Sequence, residues 1–268
     1  MSDAAPTFNA LLAFAHELAD HAGAAIRPKF RRSISIDNKA GSGGYDPVSA
    51  ADTAAERVIA KAIRTRYPGH AIVGEEYGAQ GRAGARYRWV IDPIDGTRAF
   101  IMGSPLWGTL IGLLDGEEPL VGIMDQPFTG ERVWADRRTA RWRTADGKTR
   151  AIRTRPCPKL EDAVFTTTHP DLFEAGLETE KFLALKGRVR MSRYGGDCYA
   201  YCLLAAGYVD VIVETGLKPH DIVALLPILE KAGAIATTWD GKPAANGGRL
   251  CVAGDPRLHE AALKLLSR

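Results

Sequence analysis

The run Trp89-Val90-Ile91-Asp92-Pro93-Ile94-Asp95-Gly96-Thr97 restricts the fold of this chain more than any other segment. Its first three residues are apolar and suit a buried strand that delivers Asp92 to its end. Pro93 biases Asp92 towards an extended backbone, and Gly96 permits a sharp turn. Two carboxylates and a hydroxyl therefore meet within six residues, Asp92 to Thr97. Hard oxygen ligands of this kind suit magnesium, which keeps several waters and binds through few carboxylates plus substrate phosphate. A helix starting after the turn would also point free backbone N–H groups at an anion. Taken alone, the run could equally be a turn whose Asp side chains cap the backbone.

Further acids sit at comparable places. Gly74-Glu75-Glu76 follows the apolar run Ala71 to Val73, which puts carboxylates at another strand end, where active sites of α/β folds gather; an exposed acidic loop is the alternative. Asp46-Pro47-Val48-Ser49 and then Asp52 lead into a helix, and capping accounts for Ser49 and Asp52 but not for Asp46. Pro219-His220-Asp221 opens a helix after the apolar strand Val209 to Glu214, so Asp221 is a helix cap, a metal ligand, or both.

Periodicity organises the rest. From Thr7 to Ile26 the residues Phe8, Leu11, Leu12, Ala15, Leu18, Ala19 and Ala22 recur at helical spacing, with Thr7 as cap and Pro28 near the end. Asp37 to Tyr45, with Gly41, Gly43 and Gly44, reads as a flexible connector. A second helix runs from Ser49 towards Tyr67, Ser49 and Asp52 being spaced as a capping box. Strands are predicted at Ala71 to Gly74, Trp89 to Ile91, Trp107 to Leu114, Leu120 to Met124 and Arg132 to Ala135, with turns at Asp115-Gly116 and Thr129-Gly130. Later come a helix from Asp197 to Ala206, the strand Val209 to Glu214, a helix from His220 to Ala232, a strand from Leu250 to Ala253 and a helix from Pro256 to Leu266. Helices alternating with strands give α/β layers around mixed sheets. The polar region Arg143 to Pro158 is the predicted seam of one compact unit, between an N-terminal half, residues 1–150, carrying most of the acids, and a C-terminal half, residues 151–268.

Composition excludes several classes of function. The chain of 268 residues is 46% hydrophobic, enough core to fold without staples. Its net charge of +3 does not imply a polyanionic partner. Two basic patches, Arg27, Lys29, Arg31 and Arg32, and the stretch Arg137 to Arg155 with Trp142 interleaved, read either as phosphate-attracting surface or as a solvated loop and exposed hairpin. Neither carries a nucleic-acid fold motif, so no nucleic-acid partner is expected. Cys157, Cys198, Cys202 and Cys251 form no CxxC pair, which predicts a reducing cytoplasm. Apolar runs such as Leu110 to Leu114 stop short of the ~18 residues of a membrane span, and no export leader is visible in Met1 to Asn9. No Gly-x-Ser-x-Gly elbow or HExxH zinc motif is present, and Cys157, Cys198 and Cys202 lack the Cys-x5-Arg loop that a thiol phosphatase requires.

Together, the Gly74-Glu75-Glu76 segment, the Asp92-Pro93-Ile94-Asp95-Gly96-Thr97 segment and the late Asp221 at a helix start resemble the signatures of the inositol monophosphatase superfamily, in its order. The resemblance runs from about Phe8 to the last helix. It implies a layered α/β/α/β/α sandwich, commonly a homodimer, acting on a small phosphate monoester. It also implies that Glu75, Asp92, the Ile94 carbonyl, Asp95 and Asp221 hold Mg2+, that Asp46 and Thr97 orient the attacking water, and that the backbone around Gly96 and Thr97 binds phosphate.

Flanking residues bear on the substrate. Asp95 to Ile101 with Arg98, Pro105 to Ile111, Gly195 to Tyr201 and Leu217 to Ile222 are similar to the histidinol-phosphatase branch, which implies hydrolysis of histidinol phosphate in histidine biosynthesis. Histidinol phosphate carries a cationic amine and an imidazole, whereas inositol phosphate offers neutral hydroxyls, and a pocket carboxylate selects for the cation. By resemblance Arg98, Asp197 and Glu214 border the substrate; Asp197 and Glu214 could instead cap a helix or pair with Lys218 or Arg193. His220 departs from the branch, where an aromatic Tyr is usual. The alternatives are an inositol or broad sugar monophosphatase, a nucleotide-directed phosphatase, and a non-catalytic metal-dependent binding module.

Overall fold

The computed structural model describes residues 5–33, 35–39 and 47–267. In chain order the elements are α1 (Phe8–Ile26), β1 (Ile36–Asn38), β2 (Pro47–Ser49), α2 (Ala50–Arg66), β3 (Ala71–Gly74), β4 (Gly78–Gln80), β5 (Tyr87–Asp95), α3 (Thr97–Met102), β6 (Gly108–Asp115), β7 (Glu118–Gln126), β8 (Glu131–Ala135), β9 (Ala140–Arg143) and β10 (Thr149–Ile152). There follow β11 (Val164–Thr167), α4 (Leu177–Lys186), β12 (Met191–Tyr194), α5 (Asp197–Ala205), β13 (Val211–Leu217), α6 (Pro219–Ile222), α7 (Leu226–Ala232), β14 (Ile235–Thr238), β15 (Gly248–Ala253) and α8 (Pro256–Leu266).

Among the described residues the strands form an eight-stranded sheet, order β10-β9-β8-β7-β6-β5-β3-β4, a five-stranded sheet, order β12-β11-β13-β15-β14, and the pair β1-β2. Both large sheets are mixed: β3 runs parallel to β5 and β11 to β13, while the remaining neighbours, β12 apart, are antiparallel. Helices α1 and α2 cover one face of the larger sheet, α5, α6 and α7 lie between the sheets, and α8 with α4 covers the far face of the smaller. This is the expected α/β/α/β/α sandwich.

The layers follow from where the apolar residues fall. In α1 the stripe Leu11, Phe14, Ala15, Leu18, Ala19, Ala22 and Ile26 is buried, each large aliphatic contributing roughly 1.5–3 kcal/mol. Thr7 Oγ1 accepts from Ala10 N at 3.2 Å and caps the helix. Strand β6 is buried along Gly108 to Leu114 because helices cover it on both sides. The capping box of α2 forms, with Asp52 Oδ2 accepting from Ser49 N at 2.9 Å and Ser49 Oγ accepting from Ala51 N at 3.1 Å.

Several elements differ from their sequence reading. The strand at Trp89 to Ile91 continues to Asp95, since a register shift between Asp92 and Asp95 accommodates Pro93, and bulges are where an inner strand tolerates proline. The helix expected over His220 to Ala232 is two, α6 and α7, because Pro227 cannot donate and its ring conflicts with the carbonyl four residues earlier. The predicted seam is partly strand: β10 pairs with β9 at the sheet edge, and the chain after it is pinned by Thr154 N donating to Ala232 O at 3.0 Å and by Arg155 on Asp210. Asp37 and Asn38 of the expected connector lie in β1, while its residues 40–45, and Asp46, fall outside the described residues.

Candidate active site

Strand β3 lies parallel to β5 with Gly74 opposite Ile91, so the acids that follow each strand emerge side by side. Glu75 N donates to Ile91 O at 3.1 Å, fixing Glu75 next to Asp92. The turn after β3 is shaped by Glu56, fully buried on α2, which accepts from Glu76 N at 2.8 Å and Tyr77 N at 3.1 Å. Only glycine fits at position 74, because a Cβ there would sit 1.9 Å from Glu56 Oε1.

The bulge of β5 arranges the second set of acids. Asp92 Oδ1 accepts from Ile94 N at 3.0 Å, and Thr109 Oγ1 donates to Pro93 O at 2.8 Å. Gly96, at φ 87°, makes the left-handed turn into α3, and Thr97 Oγ1 donates back to Ile94 O at 3.0 Å. Across the fold, Asp95 Oδ2 accepts from Cys198 N at 2.6 Å, which ties the end of β5 to the start of α5. Asp221 arrives from α6, its Oδ2 accepting from Lys218 N at 2.7 Å.

Two carboxylate clusters result, Asp92 with Asp95 and Asp221, and Asp52 with Glu75 and Glu76, the ligand oxygens of each lying within 4.8 Å of one another. The structure thus brings the predicted Asp92, Asp95 and Asp221 into one cluster and the predicted Glu75 into the other, and adds Asp52 and Glu76. Burial and then Glu75, Asp95, Asp221 and Asp52 all push the Asp92 carboxyl well above its usual range. Burial, Asp197 and Asp221 do the same to Asp95, and burial raises Asp221 against the pull of His220. Like charges so close in a buried site are relieved either by protonation or by a cation. Lys39 supplies one to the second cluster, its Nζ 2.8 Å from Glu75 Oε1 and 3.0 Å from Glu76 Oε1. Carboxylate and carbonyl oxygens are the donor set of a hard divalent ion, so these residues fit a metal.

Asp52 is the functional candidate that sequence reasoning passed over as a cap. It is fully buried; Oδ2 is bonded to Ser49, while Oδ1 has no partner among the described residues. Burial, with Glu75 adding to it, pushes its carboxyl up to about 6. A legible signal existed: Asp52 and Glu56 occupy the stripe of α2 that otherwise holds Ala51, Ala55, Ile59, Ala60 and Ile63.

Asp197 begins α5 at φ 43°. It packs against Gly96, whose Cβ would lie 3.2 Å from it, and burial pushes it up to about 6 although Arg98 pulls it down. Glu214, from β13, is 2% exposed; its Oε1 accepts from Thr168 N at 2.8 Å and Thr168 Oγ1 at 3.0 Å, and burial pushes it up to about 8. His220 Nε2 lies 3.4 Å from Asp221 Oδ1. The basic stretch of the β9–β10 hairpin is largely engaged, Arg141 by Asp136, Arg143 by Gly130 O and Arg150 by the Trp142 ring. The four cysteines are buried and unpaired, and no described helix is long and apolar enough to cross a membrane.

Comparison with known proteins agrees with this arrangement. A model of the inositol monophosphatase family matches residues 9–268. The bifunctional phosphatase IMPL2, chloroplastic, of Arabidopsis thaliana is 42% identical over 266 residues, covering 95% of this chain and 74% of that one. A histidinol-phosphatase of Streptomyces coelicolor is 35% identical over 264 residues, 96% and 97% of the two chains. Among solved structures, an inositol monophosphatase from Zymomonas mobilis superposes with a TM-score of 0.85 at 38% identity, over 98% of this chain and 100% of that one. With its five layers and its paired acidic clusters at adjoining strand ends, the chain belongs to the inositol monophosphatase family of phosphatases.

Proposed function

We propose that the protein is a magnesium-dependent histidinol-phosphatase, which cleaves histidinol phosphate to histidinol and inorganic phosphate by direct attack of water. The observation that carries the substrate is Asp197, a largely buried carboxylate beyond the metal-type cluster, in a backbone conformation an L-residue rarely adopts. A further negative charge beside three crowded carboxylates is costly for a site built for neutral hydroxyls and useful for one that receives an ammonium group. The Streptomyces relative named histidinol-phosphatase supports the same choice.

Glu75, Asp92, the Ile94 carbonyl, Asp95 and Asp221 would hold Mg2+. When bound, magnesium offsets the phosphate's charge and brings the pKa of a water towards neutrality. Asp52 accepts the proton of the attacking water at Oδ1, the buried oxygen that has no partner among the described residues while Ser49 holds Oδ2. The Thr97 hydroxyl, fixed on Ile94 O, orients that water, a role the sequence reading shared with Asp46. The backbone of Gly96 and Thr97 at the head of α3 receives the phosphate, with Arg98 at its rim, and Asp197 pairs with the ammonium group. The same reading carries a role in histidine biosynthesis, a cytoplasmic location and a homodimeric assembly.

A broad inositol or sugar monophosphatase is the second reading, favoured by the inositol monophosphatase from Zymomonas mobilis at 38% identity. Asp197→Asn separates the two. It is expected to lower kcat/KM for histidinol phosphate at least about tenfold, the worth of a hydrogen bond to a charged group, while changing that for inositol 1-phosphate less than threefold. An equal effect on both esters contradicts the substrate assignment.

A further inference from the structure

In β3, Ile72 is buried in the core cluster of α1 and α2, and alternation along the strand turns Ala71 and Val73 to the opposite face. On that face the helices between the sheets, α5 to α7, pack against β5 to β9 and reach β3 and β4 much less. Ala71 and Val73 stay half-buried, and with Val90 and Leu114 they floor a cavity of about 410 Å3. Pro219, at the head of α6, and Ala245 with Asn246, in the loop between β14 and β15, line its other side. An apolar cleft of this size with a few polar groups at its border has the form of a small-molecule site.

Three charged side chains border it: Arg82, Arg88 and Glu117. Arg88 shares a face of β5 with Val90, two residues on. Its Nη2 lies 3.2 and 3.3 Å from the two Glu117 oxygens, long for a charge-assisted pair. Both side chains keep contact with solvent, at 32% and 79% exposure. An incoming molecule therefore meets a cation and an anion side by side above an apolar floor. Arg82, exposed and without an ion pair among the described residues, adds a second cation. An α-amino acid matches this pattern, with its carboxylate and ammonium one carbon apart and its side chain beside them. A simple carboxylic acid would face Glu117 as a like charge, and a simple amine would leave the arginines unmet.

The cavity also touches the segment that carries Asp221. Asn246 is followed by Gly247, where a Cβ would collide with Leu217 O, so this loop lies directly on the residues before α6. Asp221 Oδ2 accepts from Lys218 N at 2.7 Å, and Pro219, between the two, is part of the cavity wall. We infer that the cavity is a regulatory site for a free α-amino acid with an apolar or aromatic side chain. The carboxylate pairs with Arg88 and Arg82 and the ammonium with Glu117, and occupancy steadies Leu217 to Asp221 and so tightens magnesium. This rests on the magnesium reading of Asp221 and is independent of which phosphate ester is cleaved.

Calorimetry on the full chain with L-phenylalanine as the probe tests it. The expected Kd is on the order of 1 mM, ordinary for a ligand of this size. Arg88→Gln and Glu117→Gln are each expected to weaken binding at least about tenfold, while their kcat without amino acid stays within about twofold of wild type. On wild type, 3-phenylpropionate, phenethylamine and glycine, which lack the ammonium, the carboxylate and the side chain in turn, should each bind at least about tenfold more weakly. Saturating L-phenylalanine is expected to lower the magnesium Kd about threefold, and saturating magnesium to lower the L-phenylalanine Kd by the same factor, as linkage requires. No binding of L-phenylalanine, or binding of wild-type strength in both variants, overturns the site. Equal binding of 3-phenylpropionate or phenethylamine overturns the amino acid as its ligand, and an unchanged magnesium Kd overturns its regulatory role. A wild type that binds no magnesium refutes the metal reading instead, and L-phenylalanine binding then judges the cavity by itself.

Discussion

Replacing Asp92 with Asn should make the metal-free protein more stable while removing its response to magnesium. At 4.8 Å, the outer separation within the Asp92, Asp95 and Asp221 trio, two unit charges repel by roughly 3.5 kcal/mol at an effective dielectric of ~20. Protonation relieves much of this without metal, as the raised carboxyl groups record. The remainder gained by Asn is on the order of 1 kcal/mol, or about 2 to 4 °C in Tm for a chain of this size. Asn can still accept from Ile94 N, so the bulge that shapes the site survives. In wild type, magnesium at a hundred times its Kd adds about 2.7 kcal/mol, which reverses the order of the two proteins. Thermal melts in chelator and in excess magnesium read both effects, and kcat should fall at least ~10²-fold in the variant. An Asn variant that melts below wild type in chelator, or keeps the magnesium-induced rise, refutes the electrostatic account of the cluster.

Three further outcomes are expected. Asp52→Asn keeps an acceptor for Ser49 but cannot take a proton, so kcat should fall ~10²-fold or more with magnesium affinity, read by calorimetry, nearly unchanged; a kcat within threefold of wild type excludes Asp52 as the base. Gly74→Ala drives a Cβ into Glu56, which holds Glu76 and Tyr77, and urea melts should show a loss of about 1 to 3 kcal/mol together with weakened metal binding. His16 is pushed down to about 4 by burial and by Arg132; the unfolded chain, near 6.5, then binds the proton first, so stability should decline as pH falls from 6.5 to 4. Substituting Gln at His16 should flatten the stability curve in that window, and an unchanged slope means that other groups produce it.

Much of the site was legible because its acids sit beside strong punctuation. Gly74-Glu75 and Asp92-Pro93-Ile94-Asp95-Gly96 each combine an apolar run with a residue that dictates backbone shape, and β3 and β5 end where those residues stand. What was not legible depends on partners distant in sequence. Glu56 reads as a surface helix residue until the turn at Glu76 and Tyr77 folds over it. Asp52 reads as a cap, which it is, and only its burial beside Glu75 shows that one oxygen is left without a partner among the described residues. Glu214 reads as a substrate contact, and only the pairing of β11 with β13 shows that its Oε1 also holds Thr168. The break between α6 and α7 was available in Pro227, whose missing N–H outweighs the helical spacing around it.

The central claim is tested most directly by kcat/KM of the purified protein for histidinol phosphate and inositol 1-phosphate, in magnesium and again in excess chelator. The expected result is at least a tenfold preference for histidinol phosphate, from one charge-assisted contact at about 1.4 kcal/mol per decade, and loss of both activities in chelator. Equal or greater activity on inositol 1-phosphate contradicts the substrate assignment, and undiminished turnover in chelator contradicts the metal-dependent mechanism itself.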